Sequence, residues 1–339
     1  MYKVAVVNSK SFGVRSPDLL EELRRHAQVD FIEVSKTMRG RELAEVLAGY
    51  HFIVASVNPL YDAEFMKHQR DLLLIARHGI GVDNVDVKAA TEEGVLVTRV
   101  PGFKERDAVA ELAVALALDV VRKVCYSNKL VREGRWSERG RIVGFNINGK
   151  TVGLIGLGNI GSRVAEIYSR GFNARVLAYD PYIKPEVAAR YGAQLVDLDT
   201  LLRESDVISV HAPLTPETYH LLNEEAFAKM KDGVVIVNTA RGEIVDTAAL
   251  IKALESGKVA GAGLDVVEGE PIGADHPLLK FDNVVVTPHI GANTAEGLRG
   301  MDEANVDAIL KVIRGEPPLE YLVNPEVLER GTRAKLRTR

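Results

Sequence analysis

Short apolar runs and amphipathic stretches alternate along nearly the whole chain. Lys3–Val7, Phe31–Val34, Phe52–Ser56, Leu72–Arg77 and Val95–Arg99 predict strands, and Pro17–Ala27, Arg41–Leu47, Ala63–His68 and Val87–Glu93 predict the helices between them. That alternation predicts a small doubly wound α/β unit. After Pro101-Gly102 the apolar positions of Arg106–Val131 cover more than one face, which predicts one long helix with more to bury than a surface helix has. Such a helix can cross between domains and meet a partner subunit. A glycine-rich connection through Gly134, Trp136 and Gly140–Gly149 then leads to a second alternation. Its strands are expected at Val152–Ile155, Arg175–Tyr179, Gln194–Val196, Val207–Val210, Val234–Val237, Gly261–Asp265 and Val284–Thr287. Helices at Asp199–Arg203, Glu224–Met230 and Thr247–Glu255 separate several of them. A last helix, Thr294–Arg314, is expected to return to the first unit. The expected domains are therefore 1–100 plus 294–339, discontinuous, and 101–293. The basic tail Glu329–Arg339 lacks apolar period and reads as a frayed end.

Bulk composition narrows the classes. At 339 residues two domains are the prior, and 46 % hydrophobic, 27 % charged and a formal net charge of −4 favour neither nucleic acid nor a membrane surface as partner. The most apolar stretch, Val109–Val121, carries Glu111 and Asp119 and is too short to span a bilayer. The single cysteine, Cys125, excludes an intrachain disulfide and fits a reducing compartment, and the N-terminus reads as a strand rather than a signal peptide. A soluble, cytoplasmic protein is expected, with no metal called for.

The most specific stretch is Gly156-Leu157-Gly158-Asn159-Ile160-Gly161, which follows a buried strand and opens a helix. Gly156 permits the tight turn, Gly158 lets backbone approach a pyrophosphate, and Gly161 lets helix pack on strand with phosphates over the helix N-terminus. The next strand ends on Asp180, where a ribose-binding carboxylate belongs. A dinucleotide site is the expectation.

Polar residues collect at strand ends: Asp180, His211-Ala212-Pro213, Asn238-Thr239-Ala240-Arg241-Gly242, Asp265 and Pro288-His289. Ligands of open parallel sheets lie beyond the carboxyl ends of the strands, so these read as one site. Arg241 is the natural cation for a carboxylate, because guanidinium binds it in a fork. His289 is the best proton donor, and Glu270 in the Glu268–Pro271 loop is placed to pair with it and favour its protonated form. His51, His78, His211 and His276 compete for the donor role, His211 most seriously. In the first unit, Arg77-His78-Gly79-Ile80-Gly81-Val82-Asp83-Asn84 reads either as a loop whose N–H groups seat a carboxylate or as an ordinary glycine turn.

Taken together these segments resemble the D-isomer-specific 2-hydroxyacid dehydrogenases over essentially the whole chain. The resemblance rests on GLGNIG with Tyr179-Asp180-Pro181, on His211–Thr215, Asn238–Gly242 and Gly263–Val266, and on Val286–Gly291. It implies an α/β protein of two doubly wound domains, one flavodoxin-like and substrate-binding, one Rossmann-like and NAD-binding, with the active-site cleft between them. It implies Arg241, Glu270 and His289 as the catalytic set. NAD contacts are implied at Gly156, Gly158, Asn159, Ile160, Gly161, Asp180, His211, Pro213, Thr239, Ala240, Arg241, Asp265, His289 and Gly291. Substrate contacts are implied at Ile80, Gly81, Arg241 and His289, with a homodimer built on the Arg106–Val131 helix. The activity implied is hydride transfer between NAD(H) and a small 2-oxo acid/D-2-hydroxy acid pair. The alternatives on the same fold are an NAD(H)-sensing binding module resembling the C-terminal-binding corepressors and a phosphite dehydrogenase.

Overall fold

In the computed structural model, which describes residues 1–336, the chain forms two compact units. The first comprises Met1–Glu105 and the chain from Ala292 onward. Its strands are β1 (Tyr2–Val7), β2 (Ala27–Ile32), β3 (Phe52–Ala55), β4 (Leu74–Arg77) and β5 (Leu96–Thr98). They form one parallel sheet in the order β2-β1-β3-β4-β5, the flavodoxin-like order. Side chains alternate between two apolar layers: Val4, Val6, Phe52 and Val54 enter one, Ala5, Val7, Ile53 and Ala55 the other. Burial on both faces is why these strands read as unbroken apolar runs. The helix Ala295–Ile313 covers the first layer with Val306, Ile309 and Val312.

Two expectations fail here for identifiable reasons. The second strand begins at Ala27, directly after the helix Pro17–His26, rather than at Phe31. It is an edge strand in which Gln28 and Asp30 interrupt the apolar residues, so it never forms the apolar run that marks its neighbours. The tail is not frayed as far as it is described. Arg333 pairs with Glu93 at 2.7 Å and donates to Gln69 O, and Ala334 is buried in the apolar layer. The rest of the expected fray, 337–339, lies outside the described residues.

The second unit, Arg106–Gly291, holds β6 (Thr151–Ile155), β7 (Arg175–Tyr179), β8 (Ala193–Leu195), β9 (Val207–Val210), β10 (Val234–Asn238), β11 (Val259–Leu264) and β12 (Val284–Val286). All are parallel, ordered β12-β11-β10-β9-β6-β7-β8. This is the dinucleotide-binding order with one strand added beyond β11, and the strand order reverses between β6 and β9. Val234 and Ile236 face one apolar layer, Val235 and Val237 the other.

The expected single helix from Arg106 to Val131 is two helices, Arg106–Arg122 and Val124–Arg132, broken by Lys123 at φ 54°. Asp119 explains the break: its carboxylate accepts the Cys125 backbone N–H at 2.7 Å and so caps the second helix. Cys125 is exposed, and the Asp119 carboxylate, aided by partial burial, pushes its thiol up to about 11. The first segment lies on β11. A Cβ at Gly263 would come within 2.8 Å of Leu116 Cβ, and one at Gly261 within 2.7 Å of Val120 Cγ1, so the glycines of that strand let the helix approach. Among the described residues no helix is long and apolar enough to cross a membrane.

Candidate active site

The glycine loop sits where β6 hands over to the helix Asn159–Glu166. Gly156 has φ 91°, and a Cβ there would lie 2.7 Å from Ala212 N, because the turn after β9 packs directly over the loop. A Cβ on Gly161 would lie 2.2 Å from Gly156 O, whereas at Gly158 it would meet nothing within 4 Å. Gly156 and Gly161 thus shape the turn, and Gly158 leaves the space in front of the helix N-terminus open for phosphate oxygens. Asp180 stands beside this loop: its Oδ2 accepts Leu157 N–H at 2.8 Å and its Oδ1 accepts Tyr182 N–H at 2.9 Å. A carboxylate has about four acceptor positions, so two remain for ribose hydroxyls. Thr239 Oγ1 is buried with no partner in the protein, a polar group a bound ligand would satisfy. These residues fit a dinucleotide.

Arg241 follows β10. Asn238 folds its side chain around the segment, accepting Ala240 N–H at 3.0 Å and donating to Arg241 O at 2.8 Å, while Arg241 Nη1 donates to Ala240 O at 2.7 Å. The next residue must be glycine, since a Cβ at Gly242 would lie 2.2 Å from Val267 C. The Arg241 turn is thereby pressed against the loop after β11, the loop that carries Glu270.

Glu270 and His289, 19 residues apart, meet at these adjacent strand ends, with Glu270 Oε1 2.5 Å from His289 Nδ1. Glu270 Oε2 also accepts Val267 N–H at 3.3 Å. With Nδ1 engaged, Nε2 is the ring nitrogen left to exchange a proton. His289 has φ 54°, a left-handed conformation that costs a non-glycine residue about 1 kcal/mol or more. Asp265 holds it there. The Asp265 backbone carbonyl accepts His289 N–H at 2.9 Å, and its side chain, 1 % exposed, accepts Thr287 Oγ1–H at 2.6 Å, Ile290 N–H at 2.9 Å and Gly291 N–H at 2.7 Å. Asp265 is thus the brace of the histidine loop.

The competing histidines have other duties. His51 Nδ1 accepts Lys3 N–H at 3.3 Å, and His276 Nδ1 caps Leu278 N–H at 3.4 Å. His78 is buried in the first unit. His211 Nε2 lies 2.9 Å from Ser209 Oγ while its Nδ1 is shielded and unpartnered, and burial pushes the imidazole down to about 3. It is held neutral, which removes it as a proton donor at neutral pH. One histidine escaped sequence reasoning. His220 Nε2 pairs with Glu268 at 2.8 Å, its ring stacks on Tyr219 at 4.1 Å, and Glu268 also accepts Thr247 N–H at 3.4 Å. The partners lie 48 residues apart with no motif around His220, so no local signal marked the pair.

Four similarities bear on this arrangement. Residues 114–291 match the family described as D-isomer specific 2-hydroxyacid dehydrogenase, NAD binding domain. The chain is 45 % identical over 286 residues to a D-3-phosphoglycerate dehydrogenase of Archaeoglobus fulgidus, covering 84 % of this chain but 54 % of that protein, so it spans about half the length of that relative. It is 44 % identical to a glyoxylate reductase of Thermofilum pendens over 79 % of each chain. The crystal structure of a D-lactate dehydrogenase from Aquifex aeolicus, complexed with NAD and lactic acid, superposes with a TM-score of 0.81 at 33 % identity, covering 94 % of this chain and 98 % of that one.

Proposed function

The chain belongs to the D-isomer specific 2-hydroxyacid dehydrogenase family, and on that premise we propose that it interconverts a small 2-oxo acid and the matching D-2-hydroxy acid with NAD(H). The observation that carries this reading is the Glu270–His289 pair, a carboxylate and an imidazole at 2.5 Å on adjacent strand ends. When bound, NADH supplies a hydride equivalent to the carbonyl carbon. His289 Nε2–H gives its proton to the oxygen that becomes the alcohol. Glu270 keeps a proton on Nδ1 and neutralises the ring whenever both nitrogens carry one. Arg241 takes the substrate carboxylate and polarises the carbonyl. In the oxidative direction His289 Nε2 accepts the alcohol's proton.

NAD is held by the glycine loop, by the first turn of Asn159–Glu166 through Asn159 and Ile160, and by Asp180. The segments His211–Pro213 and Thr239–Ala240, with Gly291, line the same strand ends. In the first unit, the N–H groups of Ile80 and Gly81 seat the substrate carboxylate. Support comes from the loop's fixed backbone: Gly79 has φ 147°, Val100 N–H binds Gly79 O at 3.1 Å, and Arg77 Nη1 donates to His78 O at 2.5 Å. The enzyme acts as a homodimer in the cytoplasm. Support for the dimer is the apolar surface left exposed at Val124 and Val131 on the helix Val124–Arg132 and continued by Trp136 and Val143. Light scattering on the purified chain tests the dimer.

Steady-state assays with NADH and glyoxylate, hydroxypyruvate, pyruvate and phosphohydroxypyruvate test the activity. Turnover with at least one, lost in His289→Ala, is expected. Tight NADH binding with no turnover of any 2-oxo acid would sink it in favour of a binding module.

A further inference from the structure

We propose that His78 is a positioning residue: through Asp302 and Ser9 it holds Gly79-Ile80-Gly81 in the pose whose N–H groups take the substrate carboxylate. The proposal rests on the carboxylate seat argued above and adds what keeps that seat in shape.

Three residues distant in sequence meet inside the first unit. His78 Nε2 lies 3.0 Å from Asp302 Oδ1, and His78 Nδ1 lies 3.2 Å from Ser9 Oγ. All three are buried, Asp302 completely. A buried carboxylate has to be hydrogen-bonded, and Asp302 finds two donors, His78 on Oδ1 and Gly13 N–H at 3.1 Å on Oδ2. An acceptor carboxylate puts a proton on His78 Nε2, and Ser9 then engages Nδ1. The ring is fixed from the side as well, by the edge of Phe12 at 5.5 Å. His78 therefore ties the end of β4 to the turn after β1 and to the helix Ala295–Ile313.

The position of the tie matters. Ile80 and Gly81 lie two and three residues beyond His78, and backbone amides bind an anion only where their N–H vectors converge. The Arg77–His78 peptide that leads into the loop is already pinned: His78 N–H binds Ala55 O at 2.9 Å, and Asn305 Nδ2 lies 3.4 Å from Arg77 O. The side-chain relay acts together with the bonds that Arg77 Nη1 and Val100 N–H make to His78 O and Gly79 O, and steadies the rotation of the chain as it leaves β4. A loop of ordinary glycine turns needs no buried imidazole–carboxylate pair behind it, whereas an anion seat that must keep its geometry gains from one.

The test uses the full chain with NADH bound and oxamate as an unreactive 2-oxo acid mimic. Amide NMR shifts of Ile80 and Gly81 report the seat, while KM, kcat and the oxamate Kd report its quality. His78→Leu is expected to raise the oxamate Kd and the KM roughly 10–100-fold while kcat changes far less and NADH affinity holds. His78→Gln, which keeps a donor toward Asp302, should restore most of the loss, and Ser9→Ala should fall between. If oxamate leaves the Ile80 and Gly81 amides of the wild type unmoved, the seat itself is wrong and the proposal falls with it. If they move but His78→Leu binds oxamate like the wild type, the seat stands and the positioning role is overturned. Should His78→Leu not fold, Ser9→Ala decides, and wild-type oxamate affinity in it overturns the proposal. Hydrolysis of p-nitrophenyl acetate by the wild type that Ser9→Ala abolishes would overturn it too, since the relay would then activate a nucleophile.

Discussion

His211 offers a prediction whose size can be worked from the structure. Its Nδ1 is shielded without a partner, Nε2 faces Ser209 Oγ at 2.9 Å, and burial pushes the imidazole down to about 3. In the unfolded chain a histidine takes its proton near pH 6.5. Between these values the unfolded state binds a proton that the folded state refuses, so stability rises with pH there. The contribution is complete above the unfolded value and is lost as pH falls from about 6.5 toward 3. Going from pH 7 to pH 5 should cost about 2 kcal/mol from this group alone, a ceiling because part of the residue's surface reaches solvent.

His211→Gln keeps a donor toward Ser209 but cannot titrate. Urea unfolding of wild type and variant without cofactor, at pH 7 and pH 5, should show the wild type losing up to that amount more than the variant. Equal losses would mean that the folded protein protonates His211 readily, and its exclusion as proton donor would collapse. The kinetic corollary is that His211→Gln leaves the pH limits of the rate profile in place. If His211→Ala cuts kcat as deeply as His289→Ala with NADH binding intact, the donor assignment is wrong.

The other predictions follow from the strand-end residues. His289→Ala should lower kcat roughly 10²–10⁴-fold, the usual size of general acid–base catalysis, with NADH affinity little changed in a fluorescence titration. Glu270→Gln, which keeps a hydrogen bond to Nδ1 but no charge, should cost about tenfold or more, about 1.4 kcal/mol, in either direction, and a variant as fast as wild type would break the pair's claim to catalysis. Arg241→Lys keeps the charge but loses the fork, so KM for the oxo acid should rise and kcat fall together; wild-type kinetics would count against its role. Asp180 should repel a 2′-phosphate, giving NAD(H) at least about a tenfold advantage in kcat/KM over NADP(H), about 1.4 kcal/mol, and equal use of both would refute that placement.

Strands buried on both faces were the most legible part of the sequence, because an unbroken apolar run has few other homes. Arg175–Tyr179 and Val207–Val210 are where the runs predicted them. What failed was decided by single polar contacts. The edge strand Ala27–Ile32 hides its pattern because Gln28 and Asp30 interrupt it and Phe31 is left exposed. The break at Lys123 depends on the Asp119 carboxylate choosing the Cys125 N–H, and helix periodicity carries no trace of that choice. Arg333 reads as surface charge until Glu93 and Gln69 O meet it.

The site was legible in its ends and not in its supports. Polar residues after apolar strands stand out, so Arg241, Glu270 and His289 could be picked from the chain as candidates, and β11 and β12 being neighbours makes the meeting of Glu270 with His289 geometrically natural. The groups that give them their pose leave no pattern. Asp265 at a strand end looks like one more ligand for the cofactor, yet its side-chain oxygens receive three hydrogen bonds from the very loop that carries His289. That division follows from energetics. A left-handed histidine is disfavoured by itself, so the imidazole can stand opposite Glu270 only if another group repays the backbone cost, and a buried carboxylate that needs several donors is suited to do so. The half-buried His289 is therefore held by an aspartate that is almost wholly enclosed, and the satisfaction of that enclosed carboxylate and the pose of the imidazole are set by the same three hydrogen bonds.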